Sequence, residues 1–106
     1  MTIKNTNDNL HSLQKFLKLF SGKLRAEIFL LAIKSSLRFN SLLREIEGAN
    51  KQSLAIALKD LTKAKILQKV TIKSKPLHIE YYLSEKGKLL IPLFEKLEEI
   101  LVKGKY

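Results

Sequence analysis

Between residues 9 and 20 the apolar side chains are Leu10, Leu13, Phe16, Leu17 and Phe20. Steps of three and four put them on one face of an amphipathic helix. Asp8 or Asn7 supplies its cap, and Ser21-Gly22 its stop. Residues 1–8, polar and rich in Asn and Thr, read as a flexible tail, and 9–106 as a single domain. A second helix over 23–34 is built around Leu24, Ile28, Leu31 and Ala32. It is apolar around more than one stripe, which predicts a central position. After Ser35-Ser36, Asn40 caps a short helix through residue 46, with Leu42, Leu43 and Ile46 inward. Gly48 ends that helix and Asn50 caps the next, 51–65. Two helices so joined match a helix-turn-helix.

After Ile66 the period drops to two. Gln68, Val70 and Ile72 alternate with Lys69, Thr71 and Lys73. Ser74-Lys75-Pro76-Leu77 makes a turn, and Ile79, Tyr81 and Leu83 then alternate with His78, Glu80 and Tyr82. This predicts a β-hairpin over about 67–83 with one face on the core. Ser84 caps a last helix, 85–103, with Glu85 in its positive first turn. Pro92 lies inside that helix and should kink it. Its apolar positions Leu89, Leu90, Leu93, Phe94, Leu97, Ile100 and Leu101 form a wide surface that either packs back on the domain or meets another subunit. The fold expected is mainly α with a small β-hairpin, in the element order of a winged helix-turn-helix.

Charge narrows the partner. Twenty Lys and Arg against ten Asp and Glu give a formal +10, which favours nucleic acid, an acidic protein or a membrane surface. The surplus concentrates between residues 51 and 88, where nine lysines meet Asp60, Glu80 and Glu85. With no cysteine, disulfides, thiolate catalysis and Cys-ligated zinc are excluded. No segment has the roughly 18 consecutive apolar residues of a membrane span. The N-terminus lacks the apolar stretch of a signal peptide, so a cytoplasmic location is expected. His11 and His78 are the only histidines, and neither belongs to a catalytic arrangement. Neither an enzyme, a metal site nor a cofactor is expected.

On the helix expected at 51–65, Leu54, Ala57, Leu58 and Leu61 share one side. Gln52, Ala55, Ile56, Lys59 and Lys63 lie opposite, with Asn50 and Lys51 at the start. Such a face suits a major groove of double-stranded DNA: Gln52 for an adenine edge, lysines for guanine or phosphate, Ala55 and Ile56 for thymine methyls. A plain solvated face also explains Lys59 and Lys63 taken alone. At the hairpin tip Lys73, Lys75 and His78 are candidates for the flanking backbone or minor groove, although edge lysines also block strand aggregation. Arg38 clamps a phosphate or pairs with Glu45 or Glu47.

Five stretches, in order, resemble the HxlR family of winged helix-turn-helix regulators, over about residues 21–93. Gly22-Lys23 corresponds to its Gly-Lys-Trp opening, with Leu24 in place of Trp. Arg38-Phe39-Asn40-Ser41-Leu42 resembles Arg-Phe-x-Glu-Leu, and Gly48-Ala49-Asn50-Lys51-Gln52 stands where Gly-Ile-Ser and the recognition helix begin. Leu54, Leu58 and Leu61 keep the leucine spacing. Pro76-Leu77-His78-Ile79-Glu80-Tyr81 and Leu83-Ser84-Glu85-Lys86-Gly87 resemble its wing motif. The resemblance implies a homodimer held by the first and last helices (9–20 and 85–103), through Leu10, Leu13, Phe16, Leu17, Phe20, Leu90, Leu93, Phe94, Leu97, Ile100 and Leu101. It also implies binding to a near-palindromic operator and regulation of transcription. Several members sense oxidants through a cysteine, which this chain lacks. A signal would need another route, such as a small-molecule effector between the subunits. The alternative class is a winged-helix protein-interaction module whose basic face binds an acidic partner.

Overall fold

The computed structural model describes residues 6–103. Its elements run α1 (Thr6–Leu19), α2 (Lys23–Lys34), α3 (Phe39–Glu45), α4 (Lys51–Lys63), β1 (Leu67–Ser74), β2 (Leu77–Leu83), α5 (Glu85–Leu89) and α6 (Ile91–Val102). That is the winged helix-turn-helix order expected. Residues 1–5 of the expected tail lie outside the described residues, whereas 6–8 belong to α1. Asp8 and Asn7 therefore sit within the helix and are not its cap.

The core gathers Ile28, Phe29 and Ala32 from α2, Leu42 from α3, and Leu54, Ala57, Leu58 and Leu61 from α4, with Ile66, Leu67 and Leu83 below them. Among the described residues every buried side chain of this core is apolar. The four α4 residues are those its leucine spacing assigned inward. Helix α2 touches both α4 and β2, which accounts for its central place. Its wide stripe is only partly covered, since Leu30 and Ile33 remain exposed.

Between α2 and α3 the chain is extended. Leu37 bridges Tyr81 of β2, each N–H donating to the other's carbonyl at 2.8 Å. Helix α3 consequently starts at Phe39, with Arg38 as its N-cap and no side-chain cap bond. Asn40 is inside the helix and does not cap it. Gly48 takes φ +84, the left-handed value that a turn of this kind requires. Asn50 does cap α4: its Oδ1 accepts from the Ser53 N–H at 2.8 Å, and Ser53 Oγ accepts from the Asn50 N–H at 3.2 Å. Asn50→Ala should remove about 1 kcal/mol of stability, measurable in a urea melt.

Helix α4 ends earlier than its pattern suggests. The Ile66 N–H reaches back to the Leu61 carbonyl (2.9 Å) and the Lys65 N–H to Thr62 (3.0 Å), the bond pair of a Schellman close. Lys65 therefore adopts φ +63, where glycine is usual. The close brings Leu61 and Ile66 together in the core. Relief of the left-handed strain exceeds the added chain entropy, so Lys65→Gly should stabilise the fold by about 0.5–1 kcal/mol. The midpoint of chemical unfolding reads this directly.

Antiparallel strands β1 and β2 pair Leu67 with Leu83, Lys69 with Tyr81 and Thr71 with Ile79. These pairs share one face. Val70 pairs with Glu80 on the other, and the register shifts between Thr71 and Lys73, leaving Ile72 unpaired and exposed. The face of Gln68, Val70 and Ile72 is thus not the core face of β1. Buried Leu67 and Leu83 fix the phase instead.

The expected last helix is two helices. They break at Leu90, and Pro92 occupies the first turn of α6, where its missing N–H leaves no helical bond unmade. Ser84 caps α5, accepting from the Gly87 N–H at 2.9 Å, and also donates from Oγ to the Ile66 carbonyl region that closes α4. Phe16 of α1, Phe20 in the turn just after it, Phe29 of α2 and Phe94 of α6 form one ring cluster, with neighbouring centroids 5.1–6.2 Å apart. It holds both terminal helices on the domain.

Candidate nucleic-acid interface

Burial of Leu54, Ala57, Leu58 and Leu61 turns the opposite side of α4 to solvent. Lys51, Gln52, Ala55, Ile56, Lys59 and Lys63 are all exposed there. Ile56, a large apolar side chain, is 51% accessible. Asn50 differs in kind from these. Its side-chain oxygen is committed to the Ser53 N–H, so it positions the first turn. The helix start also offers N–H groups and a positive dipole end to an anion.

The face of the wing that carries Lys69 and Tyr81 looks across at α4. Between them lies a groove of about 520 Å³ lined by Phe39, Ala55, Leu58, Lys59, Thr62, Lys63, Lys69 and Tyr81. Three lysines from two elements therefore converge on one open channel with an apolar floor. Lys69 was not a candidate from sequence. Its signal was the strand phase: counting by two from buried Leu67 puts Lys69 beside the recognition face, whereas the apolar Val70 and Ile72 suggest the opposite phase. Burial raises the Tyr81 hydroxyl pKa above its ordinary value, so the groove gains no negative charge from it near neutral pH.

At the wing tip Lys73 and Lys75 are exposed on either side of the turn. His78 is not equally free. Its Nε2 lies 2.7 Å from Glu80 Oε2, and Tyr82 donates its hydroxyl to Glu80 Oε1 at 2.6 Å. The Tyr82 hydrogen bond, followed by bonds from Ser36 and His78, holds the Glu80 carboxyl below its usual pKa, and Glu80 in turn raises that of Tyr82. A depressed carboxylate adds stability above its unfolded pKa, near 4.5, and that stability is lost as the pH falls below this value. Glu80 thus offsets local positive charge, and the cationic part of the tip is Lys73 and Lys75. Arg38 is exposed and forms no ion pair with Glu45 or Glu47 among the described residues, leaving its guanidinium available beside the motif.

The dimer candidates divide into two groups. Phe20, Leu90 and Phe94 pack on the chain's own core, and Phe16 joins the ring cluster. Leu10, Leu13 and Leu17 of α1 and Leu93, Leu97, Ile100 and Leu101 of α6 are exposed. Among the described residues no three His, Asp or Glu side chains lie close enough together to hold a metal, and no helix is long and apolar enough to cross a membrane.

The family model described as HxlR-like helix-turn-helix matches residues 19–103. Comparison with curated protein sequences found no match. Among solved structures, the reduced form of the transcriptional regulator YodB from B. subtilis is similar over 100% of both chains, with 18% identity and a TM-score of 0.76. The redox regulator HypR in its reduced form shares 25% identity over 84% of this chain and 88% of its own, with a TM-score of 0.74. A structure described as a MarR-family regulator from Enterococcus faecalis V583 shares 23% identity over 92% of this chain and 84% of its own, again with a TM-score of 0.74.

Proposed function

Since this chain belongs to the HxlR-like helix-turn-helix family, we propose that it regulates transcription as a homodimer, each copy placing α4 in a major groove of double-stranded DNA. The protein is a regulator and not an enzyme. The observation that carries the reading is the convergence of Lys59 and Lys63 of α4 with Lys69 of the wing on one open groove, next to the exposed Lys51 and Gln52. Lysines neutralise phosphates and supply most of the affinity, while Gln52, Ala55 and Ile56 face base edges. Lys73 and Lys75 follow the flanking backbone, and Arg38 reaches a further phosphate. The exposed leucines of α1 and α6 meet those of a second copy, which presents two recognition helices to two half-sites about one helical turn apart.

HypR is described as a redox regulator. The 106 residues here contain no cysteine, so a thiol cannot carry such a signal in them. An effector acting on this chain would have to bind noncovalently, for example between the subunits.

Fluorescence anisotropy with random duplexes, across a range of salt and with sequencing of the retained DNA, tests the reading. Enrichment of a palindromic site with steeply salt-dependent affinity is the expected result. Binding with no enriched sequence would overturn it in favour of an acidic protein partner. Gln52→Ala should relax preference at one base pair by about 1–3 kcal/mol of discrimination. Leu97→Glu should give a monomer in sedimentation equilibrium, because it puts a charge into the apolar dimer face.

A further inference from the structure

Arg25, in the first turn of α2, touches two other parts of the chain, one separated by a turn and one far away in sequence. Its Nε donates to the Leu19 carbonyl and its Nη2 to the Lys18 carbonyl (3.2 Å), both at the C-terminal end of α1. Its Nη1 pairs with Asp60 Oδ2 of α4 at 3.3 Å. The guanidinium side chain is only 26% accessible. One planar, charged fork thus reaches two carbonyls at the end of α1, of which that of Lys18 also accepts from Ser21, and anchors to α4 at the same time.

The other attachments of α1 among the described residues, the phenylalanine cluster and Leu19 against the core, are apolar and so tolerate small tilts. The Arg25 contacts are directional. Helix α1 has 14 residues, so it is about 21 Å long, and a tilt of about 10° about its C-terminal end moves the far end by about 4 Å. One base pair rises about 3.4 Å. A loss of angular definition at this joint is therefore comparable with one step of DNA.

We propose that Arg25 is a positioning residue that sets the angle between α1 and α4, and through it the half-site spacing that the dimer accepts. This inference rests on the reading of α1 as a dimer helix and α4 as the helix in the groove. Arg25 itself need not touch DNA.

The test uses the full chain and duplexes carrying two copies of the enriched half-site, with the spacing varied one base pair at a time. A duplex with a single half-site is the reference. Arg25→Met removes the fork while keeping much of its volume. Asp60→Ala removes only the tie to α4, and it serves where circular dichroism shows that Arg25→Met does not fold. The two variants change net charge in opposite directions, so a general electrostatic effect would move affinities oppositely. The strut predicts the same change in both. Affinity at the preferred spacing falls about tenfold relative to the single half-site, and the penalty for one base pair more or less shrinks. Variants that keep the wild-type spacing profile overturn the role of Arg25 and leave the operator reading standing. A wild-type protein that enriches no paired half-sites overturns the operator reading, and any role of Arg25 in spacing falls with it.

Discussion

Gly87→Ala should lower the unfolding free energy by about 2–3 kcal/mol. For a chain of this size that is a drop in Tm of roughly 10–20 °C. A Cβ at position 87 would sit 2.4 Å from the Ile66 carbonyl oxygen and 3.0 Å from Leu83 Cδ2. The oxygen has nowhere to go. It accepts the Ser84 N–H at 3.0 Å and the Ser84 hydroxyl at 3.0 Å, and its residue closes helix α4. Moving it would disturb the end of the recognition helix, the start of the wing and the cap of α5 together. Gly22→Ala is the matched control. Its Cβ would meet nothing nearer than Arg25 Nη2 at 3.8 Å, so its effect should stay within about 1 kcal/mol, most of that from the change at an N-cap. Thermal melts of the two variants side by side decide the matter: equal effects would show that the joint can move.

The second large effect concerns binding. Replacing Lys59, Lys63 and Lys69 together by Ala should weaken duplex binding about a hundredfold near physiological salt and lower the slope of log affinity against log salt by about 3. The loss should be similar for operator and unrelated duplex if all three lysines touch phosphate. A slope unchanged from wild type would show that these side chains do not neutralise the backbone, and would send the search for the contact surface away from the groove. Because Lys59 and Lys63 are exposed on one side of α4 and Lys69 is exposed on the wing, the triple variant should fold normally.

The parts of this fold that were legible in the sequence are those specified by short-range chemistry. Asn50 followed three residues later by Ser53, ahead of Leu54, Leu58 and Leu61, marks both the start and the buried side of α4. The phase of β1 was harder to read. Beyond Leu67 the strand leaves the core, so its alternation no longer reports burial, and Val70 and Ile72 point away from the face that Leu67 defines. Pro92 is ambiguous locally, because the same residue kinks a helix interior and opens a new helix. Only the break at Leu90 distinguishes the two. Lys65 carries no signal for a left-handed backbone; the need to seat Ile66 against Leu61 imposes it.

The candidate site follows the same division. The exposed face of α4 could be read from its period of 3.6. Lys69 could not be assigned without the strand register, nor could the engagement of His78 by Glu80. Arg25 carries no local sequence signal, because its partner Asp60 lies 35 residues away and no local rule connects them. Phe20 and Phe94 met the spacing criteria for a subunit surface equally well as for intrachain packing, and the ring cluster supplied the missing distinction.

The core described above contains only apolar side chains, and that bears on how such a chain changes over evolutionary time. Attraction between hydrocarbon surfaces depends on volume and shape far more than on identity. An interior without buried polar partners imposes few pairwise vetoes, so replacements can accumulate one at a time, each absorbed by its neighbours. A chain that shares 18% of its residues with YodB and yet superposes along its whole length is what such permissiveness produces. Fidelity to ancestry should then be concentrated at a few backbone junctions, Asn50, Ser84 and Gly87 among them, where only a capping side chain or the absence of one fits.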